Sequence, residues 1–254
     1  MSEPSAYEEG THRVLMHTWE PDAEADRVSP PIVLVHGIGM GQQYFGLLSQ
    51  ELVRSRRVVA IDLPGFGDSP EPETSMSIPG AAALLGRALD AEFGEPVVVL
   101  GHSMGTQVVA ELAVQRPDLV RHVVLIAPTV NSAERKPITQ ARRLLADLAN
   151  DPPIVALVGL KMYVQAGPRW FLRKFESMME HRIEDVAPRI TQPTLVIRGE
   201  QDLVCPEPWV RHVAELIPDA VMETAEGKGH EAMITGAEPV SRQVMAFLQR
   251  IEPS

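Results

Sequence analysis

The chain has 254 residues, 44% of them hydrophobic, enough to fill one large core or one core with a sizeable insertion. Its formal charge of -11 excludes a general nucleic-acid binder, because phosphate contacts need an overall positive surface. No apolar run approaches the roughly 20 residues of a membrane helix, the single Cys205 cannot form an internal disulfide, and the acidic, polar N-terminus is unlike a signal peptide, so a cytoplasmic protein is expected.

Residues 1–10, "MSEPSAYEEG", read as a polar linker, and "HRVLMHTWEP" (12–21) as one or two leading strands. Five short apolar blocks follow: "PIVLVHG" (31–37), "RVVAIDLPG" (57–65), "PVVVLGHS" (96–103), "HVVLIAP" (122–128) and "PTLVIRG" (193–199). Near-continuous apolar runs of this length mark strands buried on both faces. Between them Leu85, Leu89 and Phe93, or Met104, Val108 and Leu112, recur at helical spacing. The alternation predicts a parallel sheet with right-handed crossovers. "AVMETAEG" (220–227) reads as the last strand and 237–250 as a terminal helix.

Residues 129–191 break the rhythm with no strand and three or so helices, punctuated by Asp151-Pro152-Pro153 and Gly167-Pro168. Ile138, Ala141, Leu145 and Leu148 form a narrow stripe on the first helix. Trp170, Phe171, Phe175, Met178 and Met179 make the last one strongly apolar. A lid inserted between two strands is the expectation, with 1–128 and 192–254 forming the body. The insertion holds ten Lys/Arg against seven Asp/Glu, while the rest of the chain is strongly acidic.

Chemistry concentrates in "LGHSMG". A G-x-S-x-G run at a strand-to-helix junction forms a sharp turn that exposes its serine at the carboxyl end of the sheet, where such folds place ligands. A serine hydroxyl needs a positioned base, itself oriented by a carboxylate. Of the histidines after Ser103, His181 falls in the insertion and His212 in an ordinary helix. His230 sits in the glycine-bracketed loop "EGKGHEAM". The loop after "TLVIRG" offers Asp202, with Glu200 as the alternative acid. An oxyanion needs two amides, expected from Ile38 in "HGIGM" and from Met104. His36 and His102 are read as braces of their turns, and Cys205 as packing. Met40, Met162, Tyr163, Trp170, Phe171 and Met233 are candidate walls of a substrate pocket.

With these residues in place, "VLVHGIGM" (33–40), "AIDLPGFGDS" (60–69), "LGHSMGTQVV" (100–109), "VLIAPTV" (124–130), "LVIRGEQDLVCP" (195–206) and "EGKGHEAM" (226–233) resemble, in order, the α/β-hydrolase family. The resemblance implies an α/β fold with an eight-stranded, mostly parallel sheet flanked by helices, a helical cap over 129–191, and no cofactor or metal. It also implies Ser103 as nucleophile, Asp202 as acid, His230 as base, and Ile38 with Met104 as oxyanion amides. Haloalkane dehalogenases and epoxide hydrolases place aspartate where Ser103 stands. Carbon-carbon hydrolases of meta-cleavage type usually carry tryptophan after the histidine, where this chain has Glu231. The expected activity is a carboxylic ester hydrolase acting on a small, largely apolar ester. Alternatives are a thioesterase or a hydrolase of an anionic monoester, served by Arg135, Lys136, Arg142 and Arg143; a carbon-carbon hydrolase; and a ligand-sensing receptor on the same fold. Neither nucleic acid nor membrane is an expected partner.

Overall fold

In the computed structural model, which describes residues 3–21, 29–150 and 167–252, eight strands form a single sheet. They are β1 (Ser5–Glu9), β2 (His12–Trp19), β3 (Ile32–Val35), β4 (Val58–Asp62), β5 (Val97–His102), β6 (Val120–Ile126), β7 (Thr194–Gly199) and β8 (Ala220–Ala225). Their spatial order is β1-β2-β4-β3-β5-β6-β7-β8, antiparallel at β1/β2 and β2/β4 and parallel elsewhere. Every residue of β3, β4 and β5 is buried, as continuous Val/Ile/Leu runs require when helices cover both faces.

The helices are α1 (Gly46–Leu52), α2 (Ile78–Glu92), α3 (Met104–Gln115), α4 (Pro137–Asn150), α5 (Pro168–Glu180), α6 (Ile183–Val186), α7 (Glu207–Leu216), α8 (Ala232–Thr235) and α9 (Ala237–Ile251). α2 packs on α3, and α1 on α9. α4, α5 and α6 all fall between β6 and β7, where the sequence led us to expect the insertion.

Two expectations need correction. The N-terminal stretch is no linker: Ser5–Glu9 forms β1, turning through Gly10 at φ +60° to pair with β2 from Ser5↔Met16 to Glu9↔His12. On α4 the two described residues of the predicted stripe face outward. Ile138 is 76% exposed and Ala141 is exposed, whereas among the described residues the buried positions are Gln140 and Asp147, with Leu144 partly buried. The side chains of Leu145 and Leu148 lie outside the described residues, as do Met162 and Tyr163.

Candidate active site

Ser103 joins β5 to α3 with φ +52° and ψ -119°, a left-handed conformation that costs a non-glycine residue of order 1–3 kcal/mol. Its neighbours must lack side chains. A Cβ on Gly101 would run into the Gly105 carbonyl, and one on Gly105 into the Val35 carbonyl. A Cβ on Gly37 would stand 3.2 Å from Ser103 Cβ, so the "HGIGM" loop lies directly against the serine. That loop carries the partly exposed Ile38, while the buried Met104 opens α3, whose first amides have no partners within the helix.

The loops after β7 and β8 meet. A Cβ on Gly199 would collide with the Gly229 carbonyl, and the amide of Gln201 donates to the Lys228 carbonyl at 2.8 Å. This contact brings Asp202 to His230, whose Nδ1 donates to Asp202 Oδ2 at 3.0 Å. Asp202 Oδ1 accepts from the amides of Val204 and Cys205, each at 2.8 Å, which fixes the carboxylate in place. Glu200 points elsewhere, accepting from the Gly227 amide at 2.8 Å on the exposed side of the loop.

Electrostatics follow from burial and this pairing. Burial alone would raise the Asp202 pKa, but the charge and hydrogen bond of His230, with the two amides, hold it below the ordinary value. Burial would likewise lower His230, yet the Asp202 charge and hydrogen bond leave the imidazole well above its ordinary value. Burial, then the Asp202 charge, push the Cys205 thiol up to about 12, and its Sγ donates to the Pro128 carbonyl at 3.3 Å. A thiol held that high is not a nucleophile at neutral pH.

The bracing histidines divide their work. His36 Nδ1 donates to the Gly37 carbonyl at 2.7 Å while its Nε2 accepts from the Leu63 amide at 3.2 Å, tying together the turns after β3 and β4. His102 reaches farther than its own turn. Its Nε2 donates to the His230 carbonyl at 3.2 Å, and the two rings stand 4.9 Å apart. Burial and the nearby His230 hold the His102 pKa well below its ordinary value, so it is neutral. The residue beside Ser103 thus fastens the loop that carries His230.

Two features escaped sequence reasoning. Asp147 on α4, 3% exposed, accepts from the amides of Leu203 at 2.9 Å and His230 at 3.1 Å. Burial raises its pKa, and the Asp202 charge adds to that against both hydrogen bonds and the His230 charge. Glu231 is also buried, accepting from the Tyr44 hydroxyl with its carboxylate 3.8 Å from His102. His102, His230 and Glu231, or Asp202, Cys205 and His230, place three donor atoms close enough for a metal. Hydrogen bonds already hold these groups: Asp202 to His230, Glu231 to Tyr44, the Cys205 thiol to the Pro128 carbonyl and His102 to the His230 carbonyl.

Of the candidate walls, Phe171 on α5 lies over the "HGIGM" loop, its ring 3.2 Å from where a Gly39 Cβ would stand. Trp170 is buried against Gly65 and near Phe66. Met40 is partly buried, whereas Met233 is wholly buried in the core. Of the four basic residues singled out in the insertion, two are paired: Arg135 with Glu184 at 2.9 Å and Arg143 with Glu134 at 2.5 Å.

A sheet in this order, with a strained serine at the tip of β5 and a carboxylate–imidazole pair on the loops after β7 and β8, defines the α/β-hydrolase class. The chain belongs to the alpha/beta hydrolase family, whose match covers residues 32–243. It is 27% identical over 245 residues to a protein of Pseudomonas savastanoi pv. phaseolicola named as a carbamate hydrolase, covering 87% of this chain and 94% of that one. It is 24% identical over 246 residues to the pimeloyl-[acyl-carrier protein] methyl ester esterase of Chromobacterium violaceum, covering 87% and 94%. Among solved structures, the enol-lactonase of Burkholderia xenovorans LB400 superposes with a TM-score of 0.80 at 20% identity, covering 96% of this chain and 100% of that one. Among the described residues no helix is long and apolar enough to cross a membrane.

Proposed function

We propose that this protein is a serine hydrolase that cleaves a carboxylic ester of a small, largely apolar substrate through an acyl-enzyme. Ser103 attacks the acyl carbon as His230 takes its proton. Asp202 stabilises the imidazolium, and the amides of Ile38 and Met104 hold the oxyanion. His230 then returns the proton to the leaving alcohol and activates the water that releases the acid. Residues 129–191 act as the cap over the site. The observation that carries this reading is the strained Ser103 turn, whose neighbour His102 stands 4.9 Å ring to ring from His230, together with the buried Asp202–His230 pair at 3.0 Å. The relatives named for carbamate and methyl ester hydrolysis act at the same kind of centre, a carbonyl bearing a heteroatom leaving group.

Each oxyanion amide supplies roughly 3 kcal/mol of transition-state stabilisation, and the nucleophile supplies far more. Ser103→Ala therefore lowers kcat on 4-nitrophenyl esters by about four powers of ten or more and abolishes labelling by a fluorophosphonate. Turnover that survives the substitution unchanged would overturn the assignment.

A further inference from the structure

The buried face of α5 carries Trp170, Lys174 and Met178, one residue every four positions. Its centre should be apolar, yet it is a lysine only 5% exposed. The Lys174 ammonium donates to the Met76 carbonyl at 2.9 Å and stands 4.8 Å from the centre of the Trp170 ring. Among the described residues no carboxylate lies within ion-pair distance of it, and burial alone pushes its pKa down to about 8. At neutral pH it is still mainly charged. A buried cation with only a carbonyl and a ring face for company is costly, and an anion would relieve that cost.

Its position bears on catalysis. Lys174 lines a narrow, mainly apolar recess with Leu63, Phe66, Ile78, Val108 and Met104, the residue directly after Ser103. A second donor is idle nearby, since the indole Nε1 of Trp170 is buried and has no acceptor among the described residues. Among the described residues of the insertion, Lys174 is the buried cation, and it has no carboxylate, whereas Arg135 and Arg143 pair with Glu184 and Glu134.

We propose that Lys174 is the countercharge for a carboxylate carried by the substrate, so that the preferred ester is a monoanion such as the monoester of a dicarboxylic acid. The proposal rests on the ester-hydrolase reading of Ser103. One buried positive charge is matched by one negative charge, whereas a phosphate dianion would leave a net charge buried. The apolar walls take the alkyl spacer, and the Lys174 ammonium takes the carboxylate.

The test compares kcat/KM for paired esters. One pair places the carboxylate on the acyl side, as in 4-nitrophenyl hydrogen glutarate against its neutral methyl ester. The other places it on the alcohol side, as in 5-acetoxypentanoate against its methyl ester. The wild-type protein should favour the anionic member of at least one pair by about tenfold or more, the worth of a charge-assisted hydrogen bond. In Lys174→Met and Lys174→Gln that ratio should fall toward one, and in Lys174→Arg it should largely persist. Because the readout is a ratio, a general loss of folded protein does not move it. A ratio equal in wild type and both neutral variants, with esters still cleaved, overturns the Lys174 assignment and leaves the hydrolase reading intact. If no ester is cleaved, the hydrolase reading falls. Calorimetry with monomethyl glutarate and its neutral amide, methyl glutaramate, on wild type and the same variants then decides Lys174, which stands if monomethyl glutarate binding weakens by about tenfold without it and is overturned if the two variants bind as wild type does.

Discussion

The amide N–H groups of Leu203 and His230 both end on the carboxylate of Asp147, which arrives from α4 rather than from the sheet. Asp147→Ala leaves both amides buried and unpaired, at about 1–3 kcal/mol each, and urea unfolding should show a loss in that range. A second readout separates this tie from plain packing. As the proposed base, His230 is expected to be neutral when it accepts the Ser103 proton, and its pKa is raised, so the acid limb of kcat/KM should lie above the ordinary histidine value of about 6.5. Asp147 contributes negative charge beside the imidazole, and Asp147→Asn should shift that limb to lower pH. An unmoved limb would show that Asp147 only packs. At this scale the triad candidates were legible because each sits in a local pattern of glycines that the backbone geometry demands. Asp147 was not: its two partners lie 56 and 83 residues away, and no spacing rule links them. Lys174 did leave a signal, a charge interrupting the apolar stripe of α5, which a reading of apolar residues alone passes over.

The parallel strands were readable as elements because burial on both faces leaves continuous Val/Ile/Leu runs. β1 was not, since an edge strand with most of its residues exposed has no such run and "SAYEE" looks like solvated chain. The two described residues of the α4 stripe misled for a related reason. This helix turns polar groups inward, Asp147 to accept loop amides and Gln140 to donate to the Glu134 carbonyl, so hydropathy no longer marks the buried face. The same logic describes how the insertion holds to the body. His181 Nε2 meets Glu111 of α3 at 3.0 Å, and Gln107 of α3 donates to the Met178 carbonyl at 2.9 Å. The His181 contact draws the Glu111 carboxyl below its ordinary value, with burial opposing. Glu111→Ala and His181→Ala should each cost about 1–3 kcal/mol in urea unfolding. The double variant should cost less than their sum by at least about 0.5 kcal/mol, since the two losses share one contact. Additive losses would mean that the pair does not fasten the insertion.

Across the whole molecule, the sheet brings catalytic candidates together by stacking buried ionisable groups behind them, and this makes stability depend on pH with a definite sign. His36, His102 and His122 are all held below their ordinary pKa, chiefly by burial. As pH falls below about 6.5 the unfolded chain binds protons there that the folded chain resists, so these three residues withdraw stability. His230 has the opposite sign. Its stability is fully present below about 6.5 and is lost as pH climbs through the raised folded-state value, so it acts above the window in which the other three lose stability. Asp62, Asp202, Glu111 and Glu252 are held low, and their contribution is lost as pH falls through the carboxylate range, with the raised Asp147 acting in the opposite direction. The histidine loss comes first and the carboxylate loss second. The urea midpoint should therefore decline in two steps, a first between about pH 7 and 5 and a steeper second below about pH 4.5. Replacing His122, which lies far from Ser103 beside Glu252, with glutamine should flatten the first step while leaving the second. A midpoint that holds constant down to about pH 5 would mean that the buried histidines are protonated in the folded protein and that the neutral His102 assigned beside Ser103 is wrong.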